Sequence, residues 1–184
     1  VIWVVSIGRA GTEAALRELD KLGDNLVWVE AGSRSVNGMR SGTHGMNTLT
    51  PKDAQAIRAE VPLIKSVSEN TDGRIQIIYA GQNWLTRFRG VSPEYAQIRR
   101  WNVALGRFFD DEQTHHSALV VVIGETVRRQ LFGTDDPIGQ HVRINGFWFE
   151  VIGVFAPKGA NANGYDLDDT LILPWTPVMR HING

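Results

Sequence analysis

The chain has 184 residues, 42% of them hydrophobic and 21% charged, the balance of an ordinary globular fold of one large domain or two small ones. It has no cysteine, which excludes disulfides, thiolate catalysis and cysteine-bearing metal sites. Its formal net charge is -1 with acidic and basic residues interspersed, so it lacks the basic excess of a nucleic-acid binder.

Val1 to Ile7 (VIWVVSI) is apolar but far shorter than the roughly 20 residues of a membrane-spanning helix. It reads equally as a first strand or as the outer end of a transmembrane helix with Trp3 in the interfacial belt. From Thr12, residues Ala15, Leu16, Leu19 and Leu22 share a helical face, and Gly23 supplies a left-handed stop. Asn25 to Glu30 (NLVWVE) predicts a strand. Gly32 to Asn47, full of Gly, Ser, Asn and Thr, predicts a mobile loop whose length points to a functional role or disorder.

Thr50-Pro51-Lys52-Asp53 announces a helix, with a capping hydroxyl, a proline at the first position and a carboxylate in the first turn; Pro62 ends it. Two strands are expected next, Ile64 to Glu69 and Arg74 to Tyr79, joined by a turn at Asn70-Thr71-Asp72-Gly73. After about Gly81 the pattern becomes mainly β. Gln82 to Val91 predicts a strand with Trp84, Phe88 and Val91 as apolar anchors, and Pro93-Glu94-Tyr95 starts a short helical turn. Ala118 to Ile123 (ALVVVI) reads as a fully buried strand, followed by a helix over Glu125 to Phe132 closed by Gly133. Asn145-Gly146 between alternating apolar runs marks a two-residue hairpin, and Leu171 to Leu173 predicts a last short strand.

Local chemistry points to no reaction. His115 and His116 are adjacent and so diverge in direction, and His44, His141 and His181 show no ligand spacing. Asp110-Asp111-Glu112 sits where a helix N-terminus wants negative charge. The Asp166, Asp168 and Asp169 cluster lacks the glycine and closing glutamate of a calcium hand. Gly8-Arg9-Ala10-Gly11 is not followed by the Gly-Lys-Ser/Thr of a phosphate loop, so ATP binding is not expected in this chain. The six tryptophans read as core packing first and interface anchors second.

Several stretches, in order along nearly the whole chain, resemble the periplasmic core of MacB-type ABC transporter permeases. They are Leu22-Gly23-Asp24-Asn25-Leu26-Val27-Trp28-Val29, then Val91-Ser92-Pro93-Glu94-Tyr95 with Trp101, then Gly106-Arg107-Phe108-Phe109. Gly124-Glu125-Thr126, Leu131-Phe132-Gly133, Asp136-Pro137-Ile138-Gly139-Gln140 and Val151-Ile152-Gly153-Val154 continue the match, and Asp168-Asp169 before Pro174 closes it.

The resemblance implies an α+β fold: a porter-like strand–helix–strand part with an inserted β-rich subdomain carrying short helices. Residues 1–23 would be the outer end of a transmembrane helix and a juxtamembrane helix, 24–81 the first half of the porter-like part, and 82–184 the β-rich part. It implies a bacterial inner-membrane permease, homodimeric as a whole, with this domain facing the periplasm. ATP would bind a separate cytoplasmic domain, no cofactor being expected here. The implied role is to couple ATP hydrolysis to periplasmic movement and to dock an adaptor protein leading to an outer-membrane duct. Lipoprotein release is the rival within the class, and a periplasmic scaffold or ligand-binding domain the rival outside it. Trp84, Arg87, Phe88 and Arg89 are the expected adaptor contacts, with the Gly32 to Asn47 loop beside them, and Trp3 the membrane boundary.

Overall fold

A computed structural model describes residues 26–29, the backbone of 35–36 and 39–40, and residues 49–182. The chain divides into two compact units, residues 25–67 and a larger unit made of 1–24 and 68–184.

In the smaller unit, α1 (Pro51–Glu60) begins as its sequence dictates. The Asp53 carboxylate accepts hydrogen bonds from the Thr50 backbone N–H at 2.6 Å and the Thr50 hydroxyl at 2.8 Å. Two departures from expectation occur here. Leu26 to Val29, within the predicted NLVWVE strand, and Ile64 to Glu69 belong to no ladder among the described residues. Branched residues favour strands only where a neighbouring strand and a buried face receive them, and no described strand does so. Within the stretch read as a loop, β1 (Ser35–Val36) and β2 (Met39–Arg40) form a short antiparallel ladder flanking Asn37-Gly38.

The larger unit is a closed sheet. β3 (Asn70–Tyr79), β4 (Gln82–Val91), β5 (Val103–Gly106), β6 (Val120–Ile123), β7 (His141–Ile144), β8 (Phe147–Phe155) and β9 (Thr170–Pro174) run in the order β5-β8-β6-β9-β4-β3-β7. β7 pairs with β8 as well as β3, which closes all the strands but β5 into a barrel. Residues 147–150 of β8 take β7 on one edge, and residues 153–155 take β5 further along the same edge.

Two apolar clusters explain the strand sequences. Val121, Ile123, Val142, Ile144, Phe149, Val151, Leu171 and Leu173 fill the barrel, joined by Val127, Leu131 and Phe132 of α4 (Glu125–Phe132) and by Val178 of α5 (Trp175–His181). Val120, Val122, Ile152, Phe155 and Ile172 face outward under a cover of Tyr95, Trp101 and Phe109. That cover is carried by α2 (Tyr95–Ile98), β5 and α3 (Asp111–His115) with their connections. Because β6 is buried on both faces, its sequence is a continuous apolar run rather than an alternation. At Ile152 the β8 register slips by one residue, so Val151 and Val154, which strict alternation would put on opposite faces, both enter the barrel. Gly106, at φ 71, and Gly153 let β5 and β8 cross closely, since a β-carbon on Gly106 would strike the Ile152 carbonyl and one on Gly153 the Arg107 carbonyl just past β5.

The turn expected at Asn70 to Gly73 is instead the first half of β3, and the boundary expected near Gly81 is a hairpin turn. Ala80 and Gly81 adopt φ of 46° and 81°, the mirror-image turn that joins twisted strands tightly, and all ten residues of β3 pair with β4. The division between units falls between Val67 and Ser68. The Asn145-Gly146 hairpin forms as expected, both residues having positive φ.

Candidate functional site

Strand alternation divides the four expected contact residues of β4. Phe88 is 4% exposed and sits in the barrel cluster, so it cannot be a contact residue. Trp84 leans on the same cluster and donates its indole N–H to Asp169 Oδ1 at 2.8 Å, which makes it a bracing residue rather than an anchor. Arg87 and Arg89 lie on the outer face with Leu85 between Trp84 and Thr86. The Arg87 guanidinium stacks 3.8 Å from the Tyr165 ring centroid and donates to the Asp166 carbonyl at 3.2 Å. Burial lowers the Arg87 pKa; Asp169 opposes this, while neighbouring Arg89 and Arg74 add to the lowering. Arg89 donates to the Tyr95 hydroxyl at 3.3 Å.

The barrel register extends this outer face across three further strands. Asn83 lies opposite Ile78, Ile78 opposite Arg143, and Arg143 opposite Trp148. Leu85 is 63% exposed and Trp148 60%, with Ile78 between them also at the surface. A shallow hollow lined by Ile75, Gln76, Ile78, Arg143, Asn145 and Gly146 opens beside them. Exposed apolar side chains interleaved with arginines are the chemistry of a protein-docking face. Ile78, Leu85, Arg143 and Trp148 were absent from the sequence-based candidates. The alternation of β4 and the Asn-Gly hairpin register would have found them, by separating outward from inward positions.

The acidic cluster near the end of the chain is a loop brace. Asp166 Oδ2 accepts from the Thr126 hydroxyl at 2.7 Å, and Asp166 Oδ1 from the Asp168 N–H at 2.8 Å. Asp168, buried, accepts from the backbone N–H groups of Lys158 at 2.8 Å and Gly159 at 2.9 Å. Asp169 Oδ1 accepts from Trp84 and, at 2.6 Å, from the Thr86 hydroxyl. Each carboxylate therefore has protein donors that a cation would have to displace. Among the described residues no group of three or more acidic or histidine side chains has metal-binding geometry. His115 at the end of α3 and His116, its C-cap, are exposed, their rings edge to face.

Lys158 ends a second polar arrangement. Its ammonium donates to the Arg99 carbonyl at 3.0 Å and lies 5.0 Å from the Trp101 ring centroid. The Trp101 indole in turn donates to the Ala156 carbonyl at 2.8 Å and stacks on Phe155. Burial, with Arg99 nearby, pushes the Lys158 pKa down to about 8 against the opposing pull of Asp168. Trp3, His44 and nearly all of the Gly32 to Asn47 loop lie outside the described residues.

Comparison with known proteins follows this geometry. The sequence profile of a family described as the MacB-like periplasmic core domain matches residues 1–184. A macrolide export ATP-binding/permease protein MacB of Bdellovibrio bacteriovorus is 36% identical over 184 residues, covering all of this chain and 28% of that protein. The protein of the same name from Syntrophobacter fumaroxidans is 33% identical over 185 residues, covering all of this chain and 26% of that protein. The chain thus spans about a quarter of the length of these relatives. The crystal structure of the periplasmic region of MacB from Actinobacillus actinomycetemcomitans superposes with a TM-score of 0.68 at 24% identity, over 83% of this chain and 67% of that one. The extracellular domain of the noncanonic ABC-type transporter YknZ from Gram-positive bacteria gives a TM-score of 0.65 at 20% identity, over 74% of this chain and 67% of that one. At these identities the structural likeness is one of fold.

Proposed function

This chain belongs to the MacB-like periplasmic core domain family, and on that premise we propose that it is the mechanical and docking element of an export permease. In this reading a cytoplasmic ATP-binding domain drives a homodimeric permease, and the periplasmic domain moves with it and holds a periplasmic adaptor that leads to an outer-membrane duct. The observation that carries the reading is the end-to-end match of residues 1–184 to the family. The closed barrel supports it, because a sheet without free ends along most of its circumference transmits displacement without shearing its own ladder. The outer face formed by Leu85, Arg87, Arg89, Ile78, Arg143 and Trp148 is the docking surface in this reading, in place of the buried Phe88 and the bracing Trp84.

The test uses the full permease in lipid nanodiscs with its purified periplasmic adaptor. Replacing Leu85 and Trp148 together by serine should weaken adaptor binding about tenfold or more, as loss of interface anchors does. ATP hydrolysis without adaptor should be unaltered, because neither side chain reaches the core. Undiminished binding by the double variant would remove this face from the proposal. A permease that neither binds the adaptor nor hydrolyses ATP faster with it would overturn the docking role.

A further inference from the structure

β3 is paired unequally on its two edges. All ten of its residues pair with β4, whereas only Ile77 and Ile78 pair with β7. The two-residue turn at Ala80-Gly81 makes Tyr79 and Gln82 a hydrogen-bonded pair, so the odd-numbered residues of β3 exchange bonds with β4. Asp72, Arg74 and Gln76 therefore direct their N–H and C=O groups to the opposite side. Among the described residues no backbone group pairs with these three there, and all three are exposed. β7 stops at Ile144 and turns away, and the hollow lined by Ile75, Gln76, Ile78, Arg143, Asn145 and Gly146 lies at that point.

The charges at this edge are mixed with a basic excess, acidic Asp72 standing opposite Arg89. Arg74 stands directly opposite Arg87 on the outer face, and Arg143, opposite Ile78, lines the hollow. Like charges directly opposite each other destabilise a strand pair. A single exposed arginine is a common guard against unwanted edge pairing, but a guard has no need to face a second arginine. A carboxylate brought alongside Arg74 would relieve the repulsion and be held from two sides.

We propose that the edge of β3 from Asp72 to Gln76, unpaired among the described residues, accepts an extended, carboxylate-bearing segment of a partner protein as an added strand. This rests on the docking role proposed above and gives it a mode. The guest backbone bonds to Asp72, Arg74 and Gln76. Its outward residues set an acid beside Arg74, and an inward apolar residue enters the hollow against Ile75. The arrangement places the guest strand next to Ile78 and Trp148, so edge pairing and apolar contact reinforce each other.

The experiment again uses the full permease and its adaptor, with amide hydrogen exchange resolved to single residues. Adaptor binding should slow exchange at Asp72, Arg74 and Gln76 and leave Gly73 and Ile75, already bonded to β4, unchanged. Gln76→Pro removes an edge N–H that the β3–β4 ladder does not use, a position where sheets tolerate proline. It should weaken binding about tenfold, as should Arg74→Glu, while Arg74→Lys retains most of it. If Gln76→Pro proves unfolded, the exchange pattern of the unaltered protein decides alone. An adaptor that binds without protecting these three amides overturns the added strand and leaves the docking role standing. An adaptor that does not bind at all overturns both.

Discussion

The phenyl ring of Phe88 lies across Gly73 on the facing strand, where a β-carbon at residue 73 would collide with it. Glycine at this point is required by packing, since its backbone is that of an ordinary strand. Replacing Gly73 with valine should force Phe88 out of its rotamer or spread the hairpin, at a cost of about 1–3 kcal/mol. The urea midpoint of the domain should fall accordingly. Pairing the substitution with Phe88→Leu should recover part of the loss, and an unchanged midpoint for Gly73→Val alone would remove the steric account.

A different glycine argument applies at the β7–β8 turn. Gly146 has φ 84 with open space around its Cα, so only backbone conformation disfavours a side chain there. Gly146→Val should therefore destabilise by about 1 kcal/mol or more. Asn145, at φ 49, also donates its amide to the His181 carbonyl at 2.7 Å, tying the turn to the end of α5. Gly146→Ala should cost less than valine, because it lacks the β-branch. Equal midpoints for glycine, alanine and valine would count against the turn as described.

Asp169 connects the final loop to β4 through one oxygen that accepts from both Trp84 and Thr86. Asp169→Ala leaves a nearly buried hydroxyl and a half-buried indole without their acceptor, costing about 1–3 kcal/mol. Trp84 fluorescence should shift to the red as water reaches the ring. The same engagement of carboxylates predicts that calcium gives no saturable heat at micromolar concentration in titration calorimetry. A stoichiometric heat abolished by Asp168→Asn would show that the brace opens to bind a cation.

The barrel's strands were legible where their environment is simple and illegible where it is not. ALVVVI announced a strand buried on both faces, and Asn-Gly announced the β7–β8 hairpin, because each depends on residues within one segment. Asn70-Thr71-Asp72-Gly73 was misread because its composition is that of a turn, while its conformation is imposed by β4 and by the Phe88 ring. NLVWVE failed for the opposite reason: its propensity is strong, yet no described strand pairs with it. β5 and α5 went unanticipated, since β5 is held by a glycine crossing with β8 and α5 opens directly from a strand end at Pro174. Residue type alone points to Trp84, Arg87, Phe88 and Arg89 on β4, and type cannot separate Phe88 from Leu85. Alternation from a fixed turn can.

Lys158 gives the domain a pH dependence of known sign. In the folded chain its pKa is pushed down to about 8, mainly by burial, from the ordinary lysine value of 10.5. Between these two values the unfolded chain holds the proton more tightly than the folded one, so stability rises with pH across that window. Below about pH 8 the amine is charged in both states, and the full cost of burying an ammonium is present. Lys158→Met keeps the aliphatic stem beside Trp101 while removing the titrating group. The difference in urea midpoint between the unaltered domain and this variant isolates Lys158 from the other groups that titrate at high pH. That difference should change steadily between pH 8 and pH 10 in favour of the unaltered domain, and stay flat from pH 6 to pH 7. A difference constant over the whole range would show that Lys158 is hydrated in solution and that its contact with the Arg99 carbonyl does not keep the amine buried.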